Sequence, residues 1–84
     1  MLNNKGLAFD KLLNYDDAIR CYDEALLIQP NYVDALYNKG YALNKLEKYE
    51  ESIKSFDKAL EIDKTNFDAL YNKGYALLKI NKDD

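Results

Sequence analysis

Three asparagines, Asn4, Asn38 and Asn72, stand at equal intervals along the chain. A carboxamide donates and accepts hydrogen bonds at once, so a ladder of them can grip the backbone of an extended chain with little regard for its side chains. At the same interval recur Asp34 and Asp68, Tyr37 and Tyr71, and Tyr41 and Tyr75. Tyrosine adds a large contact area with few rotors and a polar tip. The competing reading is that the asparagines are solvated and that Tyr37 and Tyr71 fill space between neighbouring helices. Either way the chemistry is recognition rather than bond breaking. The chain has no histidine and one cysteine, Cys21, and shows no nucleophile–base pair, phosphate loop or metal-ligand spacing. It is therefore expected to be non-enzymatic, with no metal and no cofactor. Asp16-Asp17 and Glu50-Glu51 read as residues that open helices, where the dipole favours acids. Cys21 reads as a small hydrophobe on a helix surface, with a disulfide between copies as the lesser alternative.

The elements that must position these groups follow from repetition. Asp34-Ala35-Leu36-Tyr37-Asn38-Lys39-Gly40-Tyr41-Ala42-Leu43 recurs letter for letter from Asp68 to Leu77. A weaker copy, Leu2-Asn3-Asn4-Lys5-Gly6-Leu7-Ala8-Phe9, lies upstream at the same spacing, and residues 1–30 share thirteen identities with residues 35–64. A fixed period of roughly 34 residues marks a solenoid of stacked supersecondary units. Each unit divides into two helical stretches. The first helix runs from about Leu2 to Leu12, with Leu2, Gly6 and Phe9 in an i, i+4, i+7 row, and Leu13-Asn14 breaks it. The second spans about Tyr15 to Ile28, with Asn14 as N-cap, a row of Ala18, Tyr22 and Ala25, and Pro30 as its stop. Asn31 is expected to cap the third helix, whose row is Leu36, Gly40 and Leu43 and which ends near Leu46. The fourth covers about Tyr49 to Ile62 with Ser52, Phe56 and Ala59 in its row. Thr65, with Asp68, is expected to cap the fifth, which begins at Phe67 and carries Leu70, Gly74 and Leu77.

Eighty-four residues, 48% hydrophobic and 32% charged, make one small domain with enough apolar content for a core. Three glycines and one proline give too little punctuation for an all-β fold. A net charge of −3 has the wrong sign for a phosphate-backbone binder, and no apolar run is long enough for a bilayer. No nucleic acid or membrane partner is expected, and one cysteine without an internal partner fits a cytoplasmic setting.

These columns resemble the tetratricopeptide repeat, a helix–turn–helix of roughly 34 residues with a bulky residue, Gly, an apolar residue, then Ala, an aromatic, Ala and Pro. The columns here are Leu2, Leu36 and Leu70; Gly6, Gly40 and Gly74; Phe9, Leu43 and Leu77; Ala18 and Ser52; Tyr22 and Phe56; Ala25 and Ala59; and Pro30, replaced by Lys64. Lys5, Lys39 and Lys73 occupy a column where the family has Leu, and are expected to snorkel over the apolar face. The resemblance implies an all-α, right-handed α-solenoid of five helices in antiparallel pairs. Its repeats would run over about 1–32 and 33–66, with a half repeat over about 67–84, as in a fragment of a longer array.

The resemblance further implies that first helices line a concave groove. Its residues would be Asn4, Asp34, Tyr37, Asn38, Tyr41, Asp68, Tyr71, Asn72 and Tyr75, with Lys45 and Lys79 beside them. Some relatives clamp C-terminal carboxylates with Lys, Arg and Asn, but the matching positions here are Asn3, Leu7, Asn38, Asp68 and Asn72. Without the basic residues, a neutral or mildly basic peptide is the expected partner. The leading expectation is a protein-interaction scaffold binding a peptide in this groove. The alternative is a self-associating module, a homo-oligomer in which Leu70, Gly74, Leu77 and Leu78 of the unpaired last helix pack on or swap with another copy.

Overall fold

Small residues at fixed places decide how closely the helices approach. The computed structural model describes residues 2–82, so expectations that reach Met1 or the last two residues lie outside it. It contains α1 (Leu2–Lys11), α2 (Tyr15–Ile28), α3 (Val33–Lys45), α4 (Tyr49–Ile62) and α5 (Phe67–Lys82). Each helix packs on the next, and α1 touches α3 as α3 touches α5, giving a helical solenoid with principal extents of 39 × 28 × 17 Å.

Two aromatic rings lock the helix pairs. Tyr22 and Phe56 are wholly buried. A Cβ on Gly6 would collide with the Tyr22 ring, and one on Gly40 would lie 2.6 Å from Phe56 Cε1. Glycine is required at both places because the ring occupies the space a side chain would need. Hydrogen bonds finish the pairs differently. The Tyr22 hydroxyl donates to Asp10 Oδ2 at 2.5 Å, whereas Ser55 Oγ donates to the Leu36 carbonyl at 2.6 Å. Burial pushes the Asp10 carboxyl up, against the lowering effect of the Tyr22 hydroxyl, and burial beside Asp10 pushes the Tyr22 phenol up as well.

The turns within the two pairs are alike. Leu13 and Glu47 both have φ of 61°, in the left-handed region, while Asn14 N and Lys48 N donate to the carbonyls of Phe9 and Leu43, each at 2.9 Å. This is a Schellman-type close with a non-glycine residue at the left-handed position, a conformation that costs about 1–2 kcal/mol in L-residues.

The caps differ from the sequence expectation. Asn14 precedes α2 but its side chain makes no capping bond, donating instead to Asp17 Oδ2 at 2.7 Å. The N-cap of α3 is Tyr32, not Asn31, and again makes no side-chain cap. The cap of α5 is Asn66, whose Oδ1 accepts from Ala69 N at 3.0 Å, while Thr65 N and Oγ1 turn back to Asp63 Oδ1 at 3.1 and 2.7 Å. That Asp63–Thr65 turn takes over the chain reversal that Pro30 makes in the first unit. Nor do the lysines of the odd column simply snorkel. Lys39 Nζ pairs with Asp23 at 2.7 Å and Lys73 Nζ with Asp57 at 2.6 Å, so each ties a first helix to the second helix before it. At their partial exposure each pair is worth at most about 1 kcal/mol.

Candidate functional site

First helices are contiguous, so side chains off the Leu-Gly-Leu row of one helix meet those of the next. Asn38 Nδ2 donates to Asn3 Oδ1 at 3.0 Å, joining α3 to α1. Asn72 Nδ2 donates to the Tyr37 hydroxyl at 3.1 Å, joining α5 to α3, and also to its own helix at the Asp68 carbonyl, 2.8 Å away. Asn44 Nδ2 adds a bond to the Asn72 carbonyl at 3.2 Å. The ladder is thus a polar seam across three helices. Asn38 engages one amide N–H within the protein and Asn72 both, while each carboxamide oxygen can accept from an incoming backbone N–H.

The rungs are not equivalent. Asn38 and Asn72 are half-buried, while Asn4 is exposed and lies beside a hollow of about 250 Å³ formed with Leu2, Asn3, Ala25, Ile28, Gln29 and Tyr32. The tyrosines divide too. Tyr37 is half-buried, its ring 5.9 Å from Phe56 and 6.5 Å from Tyr41. Burial, with Asp68 nearby, pushes its phenol up, while the bond from Asn72 lowers it. Tyr37 is therefore a packing residue as well as a rung partner. Its copy, Tyr71, is 77% exposed. Lys45 lies over the Tyr41 ring at 5.3 Å and Lys79 over Tyr75 at 5.5 Å, so each aromatic face is capped by a cation. Tyr75 also meets Tyr49 edge-on at 6.3 Å. Asp34 and Asp68 are exposed.

Asn3, one of the positions matched to the clamp, is the buried acceptor of the first rung. Another participant, Asn44, escaped sequence reasoning. Asn44 is buried with its Oδ1 unpartnered, as is Oδ1 of Asp10 one period upstream. A signal was present: where the second-helix aromatic is Tyr22 the first-helix residue is Asp10, and where it is Phe56, which has no hydroxyl, that residue is Asn44. The four residues of the proposed self-association face all lie on α5. Leu70, Leu77 and Leu78 are 53%, 42% and 70% exposed, and Gly74 is half-buried. Among the described residues no helix is long and apolar enough to cross a membrane.

The comparisons with known proteins agree with this fold. The sequence model described as Tetratricopeptide repeat matches residues 1–32 and 33–66, and a second model of the same description matches residues 55–84. No curated protein sequence matches the chain. Among solved structures, the second tetratricopeptide domain of Spaghetti (RPAP3), bound to the HSP90 peptide SRMEEVD, is 27% identical with a TM-score of 0.93, over 96% of this chain and 75% of that one. The first such domain of the same protein, also with that peptide, is 24% identical with a TM-score of 0.93, over 95% of this chain and 64% of that one. MamA from Desulfovibrio magneticus RS-1 is 31% identical with a TM-score of 0.90, over 96% of this chain but only 46% of its own.

Proposed function

Because the chain belongs to the tetratricopeptide repeat family, we propose that it is a non-catalytic scaffold that holds a peptide segment along the first helices α1, α3 and α5. The observation that carries this reading is the seam of Asn38 and Asn72, whose nitrogens bond across helices and whose oxygens remain for a ligand backbone. The second Spaghetti domain, with its bound peptide, supports the class of ligand. The details of the peptide should differ. With Asn3, Leu7, Asn38, Asp68 and Asn72 at the positions that match the Lys, Arg and Asn clamp of carboxylate-binding relatives, and no Lys or Arg among them, a neutral or mildly basic segment fits better than an acidic tail. Tyr41 and Tyr75, with Tyr71, would supply apolar contact, and Asp34 and Asp68 would favour a basic residue. A cytoplasmic setting fits a chain with one cysteine and no internal disulfide to form.

To test this, a binder is selected from a displayed random-peptide library and titrated against the chain and its variants. Asn38→Ala with Asn72→Ala should weaken it about tenfold or more, from two hydrogen bonds of about 1 kcal/mol each. Asn3→Ala, which removes only an internal bond, should change affinity less than about twofold. Unchanged binding by the double variant removes the ladder from the reading.

A second reading, self-association, is favoured by the exposure of Leu70, Leu77 and Leu78 on one helix. It predicts a weight-average mass by light scattering that rises with concentration. A strict monomer at every concentration would overturn it.

A further inference from the structure

α2 and α4 both pack on α3, but among the described residues they do not touch each other. Between them runs a trough of about 610 Å³ that shares no lining residue with the asparagine seam. Its floor is buried and apolar. Leu36 and Leu43 of α3 are 5% and 3% exposed, and Ser55 Oγ of α4 is committed to the Leu36 carbonyl. The two walls differ in chemistry. The α2 side presents Leu26 and Leu27, with Pro30 just beyond the helix, and Leu27 is 83% exposed. The α4 side presents Lys54 and Lys58, both exposed and one helical turn apart. Lys39 is held by Asp23, whereas Lys54 and Lys58 enter no ion pair among the described residues. Three lysines against Asp23 and Glu51 leave the trough net positive in a chain whose net charge is −3. The packing of the repeat does not require these walls. One period away, Glu61 stands in the column of Leu27 and Glu24 in the column of Lys58.

We infer that the trough between α2 and α4 is a second docking site, for an acidic amphipathic helix of a partner protein. Its leucine-type side chains lie on Leu27 and the α3 floor, and its carboxylates face Lys54 and Lys58. The occupant follows from the walls. The apolar side and floor ask for aliphatic side chains, which a polyanion such as nucleic acid does not offer. The unpaired lysines ask for carboxylates, and because they stand one turn apart, acids one turn apart on a helix lying alongside α4 meet both. The charge preferred here is opposite to that of the seam, where Asp34 and Asp68 favour a basic residue, so the two sites would take different segments. The inference stands on the trough alone and does not depend on the reading of the seam.

The probe is a fluorescent helix-forming peptide of about 15 residues, with leucine on one face and glutamate at its flanks. It is titrated against the full chain by anisotropy, beside a twin with lysine for glutamate. Saturable binding of the acidic peptide is expected, about tenfold or more tighter than of the twin at low salt, with the gap narrowing as salt is raised. Leu27→Glu, which installs the residue of the Glu61 column, should weaken the acidic peptide about tenfold or more with helical circular dichroism retained. Lys54→Gln with Lys58→Gln should bring the two peptides to within about threefold of each other. Asn38→Ala with Asn72→Ala should leave binding unchanged, so that failure of the trough and failure of the seam are read separately. Methyl resonances of Leu26 and Leu27 should respond during the titration. The inference is overturned by absence of saturable binding, by equal affinity for the two peptides, or by undiminished binding to the Leu27→Glu chain. It is also overturned if the methyls of Leu70 and Leu77 respond instead, or if the seam variant loses the peptide.

Discussion

Replacing Phe56 by alanine should remove about 3–5 kcal/mol of folding free energy, the range for deleting a buried phenylalanine. A chain of this length has only roughly 4–13 kcal/mol in total, so the variant should be largely unfolded or melt far below the parent. The full loss is expected because Phe56 is wholly buried and because Gly40 leaves no side chain that could relax into the void. The damage should also reach the recognition surface. The ring lies 5.9 Å from that of Tyr37, whose hydroxyl accepts from Asn72. Urea unfolding followed by circular dichroism measures the effect, and a loss below about 1 kcal/mol would contradict the packing described.

The second large effect is a difference in sign. Gly40→Ala and Gly74→Ala are the same substitution within the same decapeptide. In a helix interior the change alone is worth about 1 kcal/mol in favour of alanine. At Gly74, where the added carbon meets nothing within 4 Å, that gain should appear almost whole, as stabilisation of about 0.5–1 kcal/mol. At Gly40 the carbon would sit 2.6 Å from Phe56 Cε1, and forced repacking of a core costs about 1–3 kcal/mol. The net result there should be destabilisation by up to about 2 kcal/mol. Thermal melts of the two variants decide it: shifts in the same direction would mean that the two helices are covered alike.

The constant period made the helices and their inner rows legible, because Leu-Gly-Leu and small-aromatic-small rows are set by packing that every unit shares. Groups whose partners lie across units were harder to read. Lys39 and Lys73 were expected to snorkel, yet Asp23 and Asp57 precede them at an equal offset, in a column that repeats at the same period. The caps were misplaced because capping depends on the backbone angles of one residue. Asn31 and Asn66 are not one period apart, and only Asn66 occupies the capping position. Of the candidate recognition residues, the spacing located the Asn38 and Asn72 rungs but not their bonding, since the acceptor column changes type, from the Asn3 carboxamide in the first unit to the Tyr37 hydroxyl in the second.

The ion pairs between units carry a genetic consequence. Lys39 and Lys73 have the same neighbours in sequence and an aspartate at the same offset upstream. Recombination between the two copies of the decapeptide, joining Lys39 directly to Gly74, would delete one whole repeat and leave an unbroken helix whose lysine still reaches Asp23. The reciprocal event would insert one whole repeat with every contact between units preserved. Length in this fold is therefore a quantity that unequal crossing-over can adjust in whole steps, without first inventing a new interface.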